Sequence, residues 1–343
     1  MVLLCLMLLK EQKQLLMKLS DITALIQLPL NLEKLLNLNQ NKRCLFFITF
    51  YWIARNTLII YLHKKEGRIM KIKAFAFDMD GTLAIPEGYE AHPETIKALR
   101  EAQEQGYKII FATGRPLCFA MPTAKEIGGI SYIVSNNGTN IYEVETGKNL
   151  SDSHLNAELY KEVIKKAKET KSYISVSTVN DVYREYYHPT DKDPKWLNDF
   201  RFEGIDQPVE WFEQIINEER ISQVSLKNTG EVIEELAKEL REKFGKENAI
   251  HVSNSIFLDV NPNGVSKLTG IETAANKMGI DISEVMAFGD SGNDLKMLEG
   301  VGYGVCMGNG SDEAKAAADE VIGANDTDAI AKKVREVMAT QSK

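Results

Sequence analysis

From residue 70 onward the hydrophobic pattern alternates between two periods. Residues 72–77 (IKAFAF) form a short apolar run that stops at Asp78-Met79-Asp80-Gly81-Thr82, which reads as a buried strand followed by a loop. Residues 93–105 carry Ile96, Leu99 and Ala102 at helical spacing and end at Gly106, after which residues 108–112 (KIIFA) are strand-like again. Strand, helix and strand in succession predict a parallel βαβ unit. Tyr132-Ile133-Val134 runs into Ser135-Asn136-Asn137-Gly138, and residues 285–288 run into Gly289-Asp290, so the pattern returns near the C-terminus. The expected fold class is α/β, with a doubly wound, mostly parallel sheet. Ligands in such sheets bind beyond the carboxyl ends of the strands, and DMDGT, TGR and GDSGND all follow predicted strands.

Residues 156–260 follow a different order: a helix at 157–170, a strand at 173–178, a loop rich in Asp, Pro and Tyr, a helix, a strand at 221–226, a helix at 231–244 and a closing strand. Both flanks belong to the larger sheet. The expected organisation is a core of residues 70–152 and 261–343 with an α+β cap of residues 153–260 inserted in it, able to close over the loops. Within the cap, Arg184-Glu185-Tyr186-Tyr187-His188 alternates as a half-buried strand does, with substrate contact as its functional reading.

The first 69 residues break the pattern. They hold one glycine (Gly67) of the chain's 23, and ten Lys/Arg against four Asp/Glu give them +6, leaving −14 for the remainder of a chain whose total is −8. We read them as a non-native or poorly ordered extension, translated upstream sequence before a start at Met70. Lys65-Glu66-Gly67 is codable as a ribosome-binding sequence shortly before the Met70 codon. Residues 44–62 are nearly continuous apolar sequence and long enough to span a bilayer. Arg55 and Asn56 interrupt them, a mid-helix charge costs about 2.5–3.5 kcal/mol, and basic residues at both ends give no orientation, so no membrane association is expected.

Composition adds bounds. Over 343 residues, 44% hydrophobic and 26% charged is ordinary globular composition, long enough for about two domains. The negative balance argues against a nucleic-acid partner. Cys5, Cys44, Cys118 and Cys306 lie far apart with no Cys-x-x-Cys pair, which points away from a zinc site or a disulfide framework and toward a reducing cytoplasm. Cys118 and Cys306 read as buried small apolar residues. The oligomeric state is not legible.

The chemistry is concentrated in the strand-end loops. Asp78 and Asp80 stand one residue apart, and Gly81 permits a sharp turn that aims both carboxylates at one pocket. A carboxylate is a competent nucleophile toward phosphorus, and a second one can protonate the leaving oxygen and then activate water. Two anions meeting an anionic substrate require a divalent cation and a basic group. Gly289-Asp290-Ser291-Gly292-Asn293-Asp294 supplies oxygen ligands suited to Mg²⁺, Lys267 supplies an ammonium before an apparent helix, and Thr113 and Gly114 supply a hydroxyl and backbone N–H groups.

In this order, DMDGT, Thr113 of FATGR, Lys267 and GDSGND resemble the four motifs of the haloacid dehalogenase superfamily. The resemblance runs from about Met70 to the C-terminal helix and looks closest to the Cof-type branch, with its α/β cap between the second and third motifs. Asn137-Gly138 and Val305-Cys306-Met307-Gly308-Asn309 look like that branch as well. The resemblance implies a Rossmann-like core, and a Mg²⁺-dependent phosphatase that hydrolyses a small phosphorylated metabolite, a sugar phosphate or similar, through an aspartyl-phosphate. By it Asp78 is the nucleophile, Asp80 the acid/base, and Thr113, Gly114, Lys267 and Asn293 the phosphate-binding set. Asp290 and Asp294 are metal ligands with Asp78 and Asp80, the last through its carbonyl. Leu268 stands where the family often has glycine, a change expected to alter local packing rather than chemistry. Two other functions are carried forward: a phosphomutase acting on sugar phosphates, and a non-catalytic sensor of a phosphorylated metabolite, which retention of both Asp78 and Asp80 argues against.

Overall fold

The computed structural model describes residues 71–341, apart from 86–89, 181, 187–205, 247 and 254–255. The expectations for residues 1–69, the apolar stretch 44–62 and Tyr187-His188 fall outside the described residues. Among those described, no helix is long and apolar enough to cross a membrane.

The larger sheet grows outward from β1 (Ala74–Phe77). Its alternation is of size rather than polarity: Phe75 and Phe77 enter one buried cluster, whereas Ala74 and Ala76 enter the other. The aromatic side packs with helices Pro93–Glu104, Leu117–Ile127 and Ala329–Gln341, and the small side receives helix Lys267–Lys277. Gly270 of that last helix sits so close to the sheet that a Cβ there would come 2.3 Å from Val134 Cγ1. Helices on both faces of a mostly parallel sheet make the predicted doubly wound arrangement.

β1 pairs in parallel with β2 (Lys108–Ala112) on one side and with β11 (Val285–Gly289) on the other. Phe77 is in register with both Phe111 and Phe288, and the Phe77 and Phe288 rings stack at 4.7 Å. Three strands held in one register end at one level, so their loops emerge side by side. β3 (Tyr132–Ser135) extends the sheet beyond β2, and β12 (Tyr303–Cys306) and β13 (Glu320–Val321) extend it beyond β11. Two edge strands not expected from sequence, β4 (Asn140–Glu143) and β5 (Lys148–Asn149), continue it antiparallel. They are too short and too polar to show a period of two.

The inserted segment folds around a second, antiparallel sheet in the order β7 (Tyr183–Tyr186), β6 (Tyr173–Thr178), β8 (Ile221–Lys227), β10 (Phe257–Pro262), β9 (Asn248–Ser253). Ile174, Val176, Val224, Leu226, Leu258 and Val260 cluster with residues of helices Ala157–Thr170 and Gly230–Phe244. On β8 the intervening Gln223, Ser225 and Lys227 take the opposite face by alternation. The predicted helix 157–170 and strand 173–178 have the observed bounds. Cys306 is buried as expected, but Cys118 is exposed, because it lies on the outer side of helix Leu117–Ile127, whose buried positions are Ala120, Thr123, Ala124 and Ile127.

Candidate active site

Asp78 leaves the end of β1 with its backbone N–H donating to Phe288 O at 2.9 Å. The loop then turns back on itself, with Leu83 N donating to Asp78 O at 3.2 Å and Ala84 N to Met79 O at 2.8 Å. Gly81 makes the turn at φ +77°, where a Cβ would come 2.5 Å from Asp290 Oδ2. Gly81→Ala combines left-handed strain of about 1 kcal/mol with a clash on a carboxylate oxygen. Weaker divalent-cation binding at retained secondary structure is the expected result, and calorimetric titration checks it; unchanged affinity would mean that Asp290 is no ligand.

One oxygen from each of Asp78, Asp290 and Asp294 lies within 4.8 Å of the others. Lys267 Nζ donates to Asp78 Oδ1 at 2.6 Å and to Asp294 Oδ1 at 2.7 Å. The ammonium is 1% exposed, Asp78 3% and Asp294 0%. Lys267 opens its helix behind an N-cap at Ser266 whose hydroxyl accepts from Thr269 N, so the backbone end is capped by another residue and the lysine is left to the carboxylates. Asp294 also shapes the loop around it, since its Oδ2 accepts from Asp290 N and Ser291 N, both at 3.0 Å, which folds the GDSGND segment. Thr82 Oγ1 donates to Asp290 Oδ1 at 2.8 Å.

Burial dominates the electrostatics. It drives the Asp78 carboxyl well above the usual carboxylate range, opposed by Lys267 and assisted by Asp294, Asp290 and Asp80. Burial also works against the Lys267 ammonium, but Asp294 and Asp78 outweigh it and keep the group protonated. The Asp290 carboxyl is pushed up to about 6, by burial first and Asp294 second. The folded chain thus binds protons that the unfolded chain releases above about pH 4, so the metal-free protein is expected to lose stability as pH rises from there to about 6. A divalent cation needs the deprotonated oxygens, so its stabilisation should be larger at about pH 7 than at about pH 5. Thermal unfolding with and without Mg²⁺ checks this; equal stabilisation at both values contradicts it.

This donor set suits a hard divalent cation: carboxylate oxygens only, crowded together and short of positive charge. The Asp80 side chain stands apart from it. Arg115 grips that carboxylate through two nitrogens, Nε at 2.8 Å from Oδ2 and Nη2 on Oδ1. Arg115 N donates to Thr113 Oγ1 at 3.0 Å. Thr113 is buried, and its N–H donates to Val134 O at 2.8 Å. A Cβ on Gly114 would lie 3.2 Å from Asn137 Oδ1, which accepts from Asn293 Nδ2 at 3.1 Å. Of the eight predicted site residues, Asp78, Asp290, Asp294 and Lys267 are thus brought together directly, Lys267 and Asn293 line one recess, Gly114 approaches it at Asn137, and Thr113 is linked through Arg115 to the Asp80 side chain. The Leu268 side chain packs over Gly300, where a Cβ would meet Leu268 Cδ2 at 2.4 Å.

Several residues not singled out from sequence tie the cap to this recess. Gln223 Nε2 donates to Gly114 O at 3.4 Å, and its Oε1 accepts from Asn261 Nδ2 at 2.9 Å. Asn261 Nδ2 also donates to Asn136 O at 2.9 Å. Phe119 meets Tyr183 edge-on at 5.0 Å. No sequence signal marks these positions, since each is one polar or aromatic residue in an ordinary strand or helix.

Comparison with known proteins agrees with this geometry. A family profile described as haloacid dehalogenase-like hydrolase matches residues 75–334. The chain is 31% identical over 268 residues to the 5-amino-6-(5-phospho-D-ribitylamino)uracil phosphatase of Bacillus subtilis, covering 77% of this chain and 95% of that protein. It is 30% identical to the HMP-PP phosphatase of Serratia proteamaculans, covering 75% and 92%. Among solved structures, a haloacid dehalogenase subclass IIB sugar phosphatase superposes with a TM-score of 0.66 at 25% identity, over 78% of this chain and 99% of that one.

Proposed function

The chain belongs to the haloacid dehalogenase-like hydrolase family, and on that premise we propose that it is a Mg²⁺-dependent phosphatase of a small phosphorylated metabolite, working through an aspartyl-phosphate on Asp78. The observation that carries this reading is the buried carboxylate cluster of Asp78, Asp290 and Asp294 with Lys267 Nζ 2.6 Å from Asp78. The relatives named as phosphatases of phosphorylated small molecules support the substrate class.

Asp78 attacks phosphorus while Asp80 gives a proton to the leaving oxygen, and Asp80 then takes a proton from the water that hydrolyses the acyl phosphate. Lys267 and the Gly114 backbone N–H hold the phosphoryl oxygens, with the Thr113 hydroxyl and Asn293 beside them. Asp78, Asp290 and Asp294, with the Asp80 carbonyl, would hold the Mg²⁺, which would supply charge neutralisation between the nucleophile and the anionic substrate. Arg115 holds the Asp80 carboxyl group outside the buried cluster until substrate enters, which keeps it apart from the Asp78, Asp290 and Asp294 carboxylates. The cap excludes bulk water during the reaction.

The test is release of phosphate from p-nitrophenyl phosphate. Activity that requires Mg²⁺ and stops with a chelator is the expected result; absence of any metal-dependent release removes the phosphatase reading.

A further inference from the structure

A cavity of about 50 Å³ opens between the cap and the core. Asn137, Lys267 and Asn293 line it on the side shared with the phosphate-binding set, and Asn261, His251 and Lys296 are among its other lining residues. A water needs roughly 10–15 Å³ of such space, so the cavity takes a group of a few heavy atoms rather than a ring system.

Its unused chemistry is specific. Asn261 is 0% exposed, and three acceptors on its Nδ2, namely Asn136 O, Thr139 Oγ1 and Gln223 Oε1, fix the amide orientation. That leaves its Oδ1 buried with no hydrogen-bond partner. An orphaned buried acceptor is costly, and a ligand hydroxyl at this point would relieve it. Lys296 is exposed on helix Leu295–Gly300 and has no carboxylate within ion-pair distance among the described residues. His251 lines the same cavity from the cap, on β9, its imidazole pushed below the usual histidine range by burial first, with Asp259 opposing and Lys296 and Arg241 adding to the shift. Its neighbour in register, Asp259, is engaged by Ser225 Oγ at 2.5 Å. The Lys296 ammonium from the core and the His251 imidazole from the cap, in a body of net −14, place one positive charge and one ring N–H donor at the cap–core boundary beside the phosphate-binding residues.

We infer that this cavity binds a second anionic group on the leaving portion of the substrate, with Asn261 accepting from a hydroxyl beside it and Lys296 and His251 receiving the anionic oxygens. The preferred substrates are then phosphate monoesters carrying a hydroxyl and a carboxylate or a second phosphate. This selection rests on the phosphatase reading and names its substrate class. Because one base comes from each side of the boundary, a charged substrate also draws the cap onto the core, whereas a neutral polyol phosphate does not.

Binding to the full chain carrying Asp78→Asn, with Mg²⁺ present, tests this without turnover. Calorimetry compares 3-phosphoglycerate with glycerol 3-phosphate, and fructose 1,6-bisphosphate with fructose 6-phosphate. In at least one pair the more anionic member is expected to bind about tenfold tighter, the effect of one charge-assisted contact, and the pair that shows it identifies carboxylate or phosphate as the second group. Adding Lys296→Glu should bring that ratio to one or below, and adding His251→Gln should reduce it in part. Ratios near one in both pairs, no binding of either more anionic compound, or a ratio that survives Lys296→Glu each overturn the inference. Binding of inorganic phosphate is read separately and bears on the phosphatase reading alone.

Discussion

Asp78→Asn is expected to lower turnover of any phosphate monoester by roughly a thousandfold or more, because an amide offers no lone pair basic enough to form the acyl phosphate. The substitution is nearly isosteric, and its oxygen can still accept from Lys267, which keeps its 2.7 Å contact with Asp294. Burial first, and the neighbouring aspartates after it, push the Asp78 carboxyl well up against the pull of Lys267. Removing that charge should therefore leave the melting temperature unchanged or raise it. Initial rates and thermal unfolding on one preparation separate the two effects. Loss of both together would mean that Asp78 is principally structural, and a residual rate within about tenfold of the parent would remove the nucleophile assignment.

Lys267→Met carries the other large effect, this time on stability and turnover together. Methionine fills much of the volume, so the change isolates the ammonium. Two carboxylates, 3% and 0% exposed, then lose the cation they share. Breaking a buried pair by removing one partner costs about 3–5 kcal/mol, against about 0–1 kcal/mol for an exposed ion pair such as Lys332 with Asp328. The sign with pH is definite. Without Lys267 the Asp78 carboxyl, already pushed up by burial, rises further, protonation relieves it, and the deficit shrinks as pH falls. Mg²⁺ should also return part of the stability, since it takes over neutralisation of the three aspartates. Denaturant unfolding at two pH values, with and without Mg²⁺, checks the prediction; a deficit of about 1 kcal/mol, constant with pH, would contradict the shared-cation account.

Both predictions concern residues that stand out in sequence, and the reason is local. An apolar run that breaks into Asp-Met-Asp-Gly-Thr announces a strand end, and strand ends of one doubly wound sheet share an edge. The alignment of Phe77 with Phe111 and Phe288 follows from that class of sheet, so Asp78, Thr113 and the GDSGND loop were bound to meet once the class was read. The inserted cap was legible in the same way, as an element order that left the larger pattern and returned to it. The edge strands β4 and β5 were not, because four and two residues carry too little period to separate from loop. Nor was the exposure of Cys118, since a cysteine's burial depends on which side of a helix meets the sheet.

By itself, then, the amino-acid sequence determined the α/β class, the insertion and the choice of candidate site residues, because strand periodicity and strand-end loops are written in neighbouring positions. The tertiary structure alone decided which charges face which. It set Arg115 on Asp80 across 35 residues, Lys267 between Asp78 and Asp294 across 189 and 27, and Gln223 against Gly114 across 109. It also brought Lys296, on a core helix, and His251, on a cap strand, to one cavity. Such pairings follow from packing and from the desolvation of each charge, which are properties of the folded interior and not of any window of the chain.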